Sequence, residues 1–210
     1  MSGRFVVFEG GEGSGKSTQA AMLAERLGAL LTREPGGTEL GARLRELLLA
    51  APGSEAGASA MTRRTEALLM AADRAQHAAE VLAPTLATGR DVVCDRYIPS
   101  TVAYQGAGRG LDPGELARIS DWAVEGLQPD LVVLLVVPDE VARERTGGAR
   151  DRIEAAGGDF HRPVADSFRD QAAAEPDRWV VVDGVGTPDE VQERVRVAVA
   201  ARLAEGAERG

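Results

Sequence analysis

Val6 to Leu27 reads VVFEGGEGSGKSTQAAMLAERL: the end of an apolar run that begins at Phe5, glycines clustered around one lysine, then Ala20, Leu23, Ala24 and Leu27 at the spacing of one helix face. Within it, Gly10-Gly11-Glu12-Gly13-Ser14-Gly15-Lys16-Ser17 fits G-x-x-x-x-G-K-[ST], in the strand-then-helix context that this pattern requires. Glycines let successive backbone N–H groups converge on an anion, and the helix N-terminus adds partial positive charge. Lys16 is placed to bridge β- and γ-phosphates and Ser17 to ligate magnesium. Gly10 to Thr18 is therefore the expected cradle of a nucleoside triphosphate. What remains to be read is the destination of its phosphoryl group.

The alternation of apolar run and helix continues along the chain. Runs at Phe5–Phe8, Ala29–Leu31, Val92–Cys94, Leu131–Val137 and Trp179–Val182 are separated by helical stretches, the pattern of a parallel sheet covered on both faces. The spacing predicts an α/β fold with a doubly wound, five-stranded parallel sheet. One helix is expected over Thr65–Ala83, ending against Pro84. Another is expected from Thr187-Pro188-Asp189-Glu190, which supplies an N-cap, a proline at N1 and acids in the first turn, with Val191, Val195, Val199 and Leu203 as its buried stripe. Pro52–Ala60 and Thr146–Gly158 read as loops, the second as a closing one because arginines stand among its glycines.

A length of 210 residues suits one domain. Lys and Arg total 24 against 33 Asp and Glu, a net charge of -9 with no basic cluster, which argues against a nucleic-acid surface. One cysteine and two histidines build neither an internal disulfide nor a zinc site, so any metal is expected to arrive with a phosphate ligand. Phe5–Phe8 is far short of a secretory core and no apolar stretch reaches membrane-spanning length, so the expectation is a soluble, cytoplasmic protein with no membrane partner. Packing is the reading for Cys94, His77, Trp122, Trp179, Phe160, Phe168 and His161.

No N-K-x-D guanine motif occurs, and the D-x-x-G match at Asp183–Gly186 falls where a turn after the last strand is expected. Val92-Val93-Cys94-Asp95 resembles a Walker B strand, which keeps an ATPase open, although Arg96-Tyr97 follow it. A phosphate-monoester acceptor would need arginines for its dianion and a cover that excludes water. TREPGGT (Thr32–Thr38), ADRAQH (Ala72–His77) and CDRYIPSTVAYQGAGRG (Cys94–Gly110) supply them, the first and last at strand C-ends, where doubly wound sheets bind ligands.

These segments in this order, followed by ARDRIE at Ala149–Glu154, resemble bacterial thymidylate kinases over nearly the whole chain. The resemblance implies a P-loop nucleoside-monophosphate-kinase fold with a lid over about 146–158. It implies phosphoryl transfer from ATP to dTMP with Mg2+, giving dTDP and ADP, in a homodimer. Carried onto this sequence, it gives Arg74, Arg96 and, in some members, Arg45 to the acceptor phosphate, and Glu12 to the sugar 3′-hydroxyl. Tyr104 would sit below the sugar and leave no room for a 2′-hydroxyl, while Ser100, Thr101 and Gln105 line the base pocket. Ser17 and Asp95 mark the magnesium side, with adenine near Asp183–Thr187.

The chain departs from the family pattern at Met70 and Phe168, and from its eukaryotic-type members at Gly13. Met70 stands where the family commonly has a phenylalanine stacked on thymine; a thioether covers a ring but forfeits an offset stack of about 0.5–1.5 kcal/mol. Phe168 replaces a frequent tyrosine. Gly13 stands where eukaryotic-type members place a P-loop arginine, so the charge on the transferring phosphoryl falls to lid arginines, Arg150 and Arg152 first and Arg145 third. Arg143 is expected to cap its helix, with Asp151 and Glu154 orienting the lid arginines. The rival readings are a kinase of the same fold for another pyrimidine nucleotide or nucleoside, and a P-loop regulatory ATPase without a small acceptor.

Overall fold

Residues at the middle of a parallel sheet are covered on both faces, and β1 (Phe5–Glu9) and β4 (Leu131–Val136) are accordingly buried along almost their whole length. In the computed structural model, which describes residues 2–50, 61–146 and 158–209, five strands form one sheet in the order β2-β3-β1-β4-β5. Every neighbouring pair is parallel. β2 (Leu30–Arg33) and β5 (Trp179–Asp183) are the edges, and there Leu31 and Val181 turn to solvent. Four strands run past their apolar runs to end on a charged residue: Glu9, Arg33, Asp95 at the end of β3 (Val92–Asp95), and Asp183. Continuous pairing carries the strand into the polar residue that faces the ligand end of the sheet.

One face of the sheet packs on α1 (Lys16–Leu27) and α9 (Pro188–Arg209), through Val6, Phe8 and Val93 against Leu23, Val191 and Val195. The other packs on the elements between β2 and β4 and on α8 (Gly158–Ala174), through Phe5, Val7 and Cys94 against Leu82, Tyr97 and Phe168. The chain thus leaves β1 on one face and β3 on the other, which opens a crevice beyond their C-ends. α9 starts as its residues require: the Glu190 N–H donates to Thr187 Oγ1 at 3.4 Å and the Thr187 N–H donates back to Glu190 Oε2 at 2.8 Å, a reciprocal cap. α2 (Glu39–Leu49) is capped by Thr38, whose hydroxyl accepts from the Gly41 N–H.

The long helix departs from its expected bounds. α3 (Arg63–His77) begins two residues earlier, capped by Thr62, and Pro84 does not end it. A π-helical segment, Ala78–Leu82, leads into α4 (Ala83–Ala87). A proline ring clashes with the carbonyl four residues back and lacks an N–H; the wider π turn absorbs both defects. A second π-helical segment, Val102–Gly108, follows α5 (Ile98–Thr101) and precedes α6 (Pro113–Ala123).

Trp122 is a further correction: it is 82% exposed, because α6 buries the stripe Leu116, Ser120 and Ala123, and residue 122 falls off that face. Trp179, Phe160 and Phe168 are buried as expected. His77 is buried among polar partners rather than apolar ones. Pro52–Ala60 and all of the expected lid except Thr146 and Gly158 lie outside the described residues.

Candidate active site

The donor half is made of backbone. Gly10, Gly13 and Gly15 have φ of 145°, 69° and 90°, values that side-chain-bearing residues rarely adopt. They turn the chain from β1 into α1 so that its first N–H groups face the crevice. Gly11, Glu12 and Ser14 complete the loop, and Thr18 lies exposed on the first turn of α1. Lys16 is buried, its Nζ donating to Gly11 O at 3.1 Å. Burial first, and then the Arg96 charge, push its ammonium below the ordinary lysine range, so the site is built to receive negative charge. Ser17 Oγ donates to Asp95 Oδ2, bringing the two expected metal-side groups into direct contact. Asp95 Oδ1 is buried without a partner.

The acceptor half is made of side chains. All nine residues expected there line one cavity: Glu12, Arg45, Met70 and Arg74 from the P-loop, α2 and α3, and Arg96, Ser100, Thr101, Tyr104 and Gln105 from the segment after β3. Lys16, Ser17 and Asp95 form its donor end. Five basic side chains, with Arg33, face this cavity against three carboxylates, so its local field opposes the chain's overall negative charge. Arg96 has φ of 73°, strained backbone held at a site of this kind. Its guanidinium donates to Glu12 Oε1 at 2.5 Å and Ser100 Oγ at 3.1 Å, and lies 4.9 Å over the Tyr104 ring. Burial pushes the Tyr104 phenol up to about 12, so it stays protonated. Arg45 donates to Pro35 O at 2.9 Å.

Three buried carboxylates that sequence reasoning left unassigned hold this half together. Glu9 accepts from the Tyr97 and Ser100 N–H groups and from Ser100 Oγ at 2.9, 3.2 and 2.6 Å, fixing the turn that carries Arg96. Burial raises it to about 7, against the Arg96 charge and the Ser100 hydrogen bond. Glu34 accepts from Arg74 Nε at 2.7 Å and pairs with His77 Nδ1 at 2.9 Å, while His77 Nε2 meets Thr32 Oγ1 at 2.7 Å. Arg74, 2% exposed, also donates to Tyr97 O. Glu66 accepts from Gln105 and Arg109. The available clue in each case was a charged residue at the end of an apolar run or on an otherwise apolar helix face.

The glycines of TREPGGT follow from the same packing. A Cβ at Gly37 would lie 2.5 Å from the His77 ring, and one at Gly41, just beyond that motif in α2, would lie 2.4 Å from Asp73 Oδ1. The Gly36 N–H donates to Asp73, which burial and then Glu34 raise to about 6. Cys94 is an inert core thiol, pushed well up by burial.

Arg150 and Arg152, with Asp151 and Glu154, lie outside the described residues. Arg143, on α7 (Asp139–Thr146), donates to Asp139 O within its own helix. Arg145 donates to Gly13 O at 3.3 Å, Gly184 O at 3.0 Å and Gly186 O at 3.2 Å, tying the P-loop to the loop after β5.

A glycine-rich cradle facing an arginine-lined acceptor cavity, on a 2-3-1-4-5 parallel sheet, defines a P-loop nucleoside-monophosphate kinase fold. The structure is similar to that of a thymidylate kinase from Ehrlichia chaffeensis, with a TM-score of 0.78 and 31% identity over 95% of this chain and 100% of that one. Residues 8–195 match the family model for thymidylate kinase. Thymidylate kinases of Cutibacterium acnes and Clavibacter michiganensis subsp. michiganensis are 50% and 46% identical to this chain, covering 97% and 99% of it and 99% of each relative. The chain belongs to the thymidylate kinase family.

Proposed function

We propose that this protein transfers the γ-phosphoryl group of ATP to dTMP, giving dTDP and ADP. The observation that carries the reading is the gathering of all nine expected acceptor residues around one cavity whose far end is Lys16, Ser17 and Asp95.

In this reading Arg74 and Arg96 grip the acceptor phosphate. Both are pre-aimed by carboxylates, so little ordering is left to binding. Glu12 stands beside Arg96 to take the 3′-hydroxyl, and Tyr104 forms the floor of the sugar site. Lys16 stabilises charge on the donor phosphates as the phosphoryl moves. The acceptor is already an anion, so no base with a matched pKa is needed. Ser17 Oγ and Asp95, with its unpartnered Oδ1, fit a hard cation that completes its shell with phosphate and water oxygens. No cluster of three or more His, Cys, Asp or Glu able to hold a metal alone occurs among the described residues. Bound there, Mg2+ would neutralise charge on the β- and γ-phosphates.

Arg150 and Arg152 are proposed to supply the remaining charge, from a lid over about 146–158 within a single domain, and Asp183–Thr187 to border the adenine. A homodimer is supported by the family resemblance and by Leu68, exposed on α3. A cytoplasmic location is proposed from the family resemblance; no described helix is long and apolar enough to cross a membrane.

The deciding experiment is ADP release with ATP and Mg2+ and, separately, dTMP, dUMP, UMP, CMP, AMP and GMP. Strong preference for dTMP supports the reading. Preference for another acceptor keeps the mechanism and overturns the substrate, and hydrolysis indifferent to all six returns the regulatory ATPase.

A further inference from the structure

Glutamine is an ambiguous reader of a pyrimidine. Its amide offers a donor and an acceptor at nearly the same distance, and a half-turn exchanges them. Gln105 lines the acceptor cavity beside Met70, Arg74 and Tyr104, and behind it the fold has placed a group that removes this freedom.

Glu66, on the first turns of α3, is 1% exposed. Gln105 Nε2 donates to Glu66 Oε1 at 2.9 Å, and Arg109 donates to Glu66 Oε1 and Oε2, both at 3.3 Å. A buried carboxylate requires such a partner charge. The Arg109 guanidinium is itself fixed 4.7 Å over the Phe160 ring. An ionised carboxylate can only accept, so it is the amide nitrogen of Gln105 that must face it. The carbonyl oxygen is thereby turned away from Glu66.

We infer that Glu66 is a positioning residue that sets base selectivity, by locking the Gln105 amide so that Oε1 meets N3 of the acceptor base as an obligate hydrogen-bond acceptor. This rests on the acceptor-cavity reading above. A pyrimidine-2,4-dione, thymine or uracil, carries hydrogen on N3 and satisfies Oε1. A 4-aminopyrimidine presents a lone pair there, and two buried acceptors then face each other unpaired. Sites built this way discriminate far more steeply than hydrophobic pockets do. Glu66 never touches the base, yet with the carboxylate gone either face of the amide becomes available.

The test compares dTMP with 5-methyl-dCMP, which keeps the 5-methyl group and changes only the N3–C4 edge, as the ratio of kcat/KM values in wild type, Glu66→Gln and Gln105→Leu. Wild type should favour dTMP by about 100-fold or more. Glu66→Gln, in which residue 66 can donate as well as accept, should shrink that ratio at least about tenfold, chiefly through better use of 5-methyl-dCMP. A role in stability alone lowers both acceptors together and leaves the ratio intact, a result that overturns the inference. Should Glu66→Gln fail to fold, the paired change Glu66→Met with Arg109→Leu removes both charges at once and carries the same prediction. If Gln105→Leu leaves dTMP use unchanged, the acceptor-cavity reading fails. If Gln105→Leu impairs dTMP but the Glu66 variants keep the full ratio, only the role of Glu66 falls.

Discussion

The two ends of the cavity are built on opposite plans. The donor end is mainly one contiguous loop whose chemistry comes from backbone N–H groups, glycine conformations and a helix terminus, with the Lys16 side chain buried in it and Ser17 meeting Asp95 of β3 at its edge. The acceptor end draws side chains from five separate stretches and aims them with carboxylates buried behind the wall: Glu9 under the Arg96 turn, Glu34 on Arg74 and Glu66 on Gln105. An anion that is the same in every reaction can be held by main chain. An acceptor that must be told from its neighbours needs side chains, and side chains need to be held still.

Five substitutions bear on this contrast. Lys16→Ala should lower kcat/KM by about 10³-fold or more while the unfolding midpoint stays near wild type; a loss under tenfold in a steady-state assay would break the donor half of the comparison. Arg74→Ala and Arg96→Ala should both raise the KM for dTMP, but only the first should cost much stability. Losing Arg74 leaves the buried Glu34 with His77 as its remaining partner, about 3–5 kcal/mol in denaturant unfolding, whereas the partner of Arg96, Glu12, is 30% exposed. Equal stability losses would show that the two arginines are not held in different ways.

The third prediction concerns pH. Glu9, raised from 4.5 to about 7, keeps its proton in the folded state through a range in which the unfolded chain has lost it. Stability it contributes is complete below about pH 4.5 and falls as pH rises towards 7, by about 3 kcal/mol at most. Asp73 acts in the same direction up to about 6. Asp91, Glu190 and Glu193 are lowered by hydrogen-bonded partners and change stability only below the window. Glu9→Gln should flatten the slope between pH 5 and 7 relative to wild type, measured by urea unfolding; parallel curves would remove Glu9 as the titrating group.

The smallest effect is expected at the base. Met70→Phe should tighten dTMP by about 0.5–1.5 kcal/mol, roughly 2- to 10-fold by calorimetry, through the stack that the thioether lacks. No change would mean that Met70 does not face the ring.

The same division decided what the sequence disclosed. The sheet was legible because each central strand is a continuous apolar run, and the P-loop because its parts are adjacent. The arginines were legible through short motifs that a known family shares. The carboxylates behind them were not: Glu9 reads as the residue after a strand, Glu66 as an acid in the first turn of a helix, and their partners lie 88 to 91 and 39 to 43 residues away. Pro84 misled for a related reason, since the π turn that accommodates it leaves no mark in local propensity. Trp122 misled because size and hydrophobicity were allowed to outweigh its position on the helix.

Gly13 also couples two parts of the fold. A Cβ on it would sit 2.4 Å from Ala142 O, so α7, the helix that delivers Arg145, lies flush on the P-loop. An arginine at position 13, the solution the resemblance assigns to eukaryotic-type members, would have to lever that helix away before adding its own charge. A side chain at position 13 and α7 in its present seat therefore exclude each other. The P-loop and α7 are thus mated surfaces: any residue larger than glycine at position 13 displaces the helix and, with it, the Arg145 tie to the loop after β5.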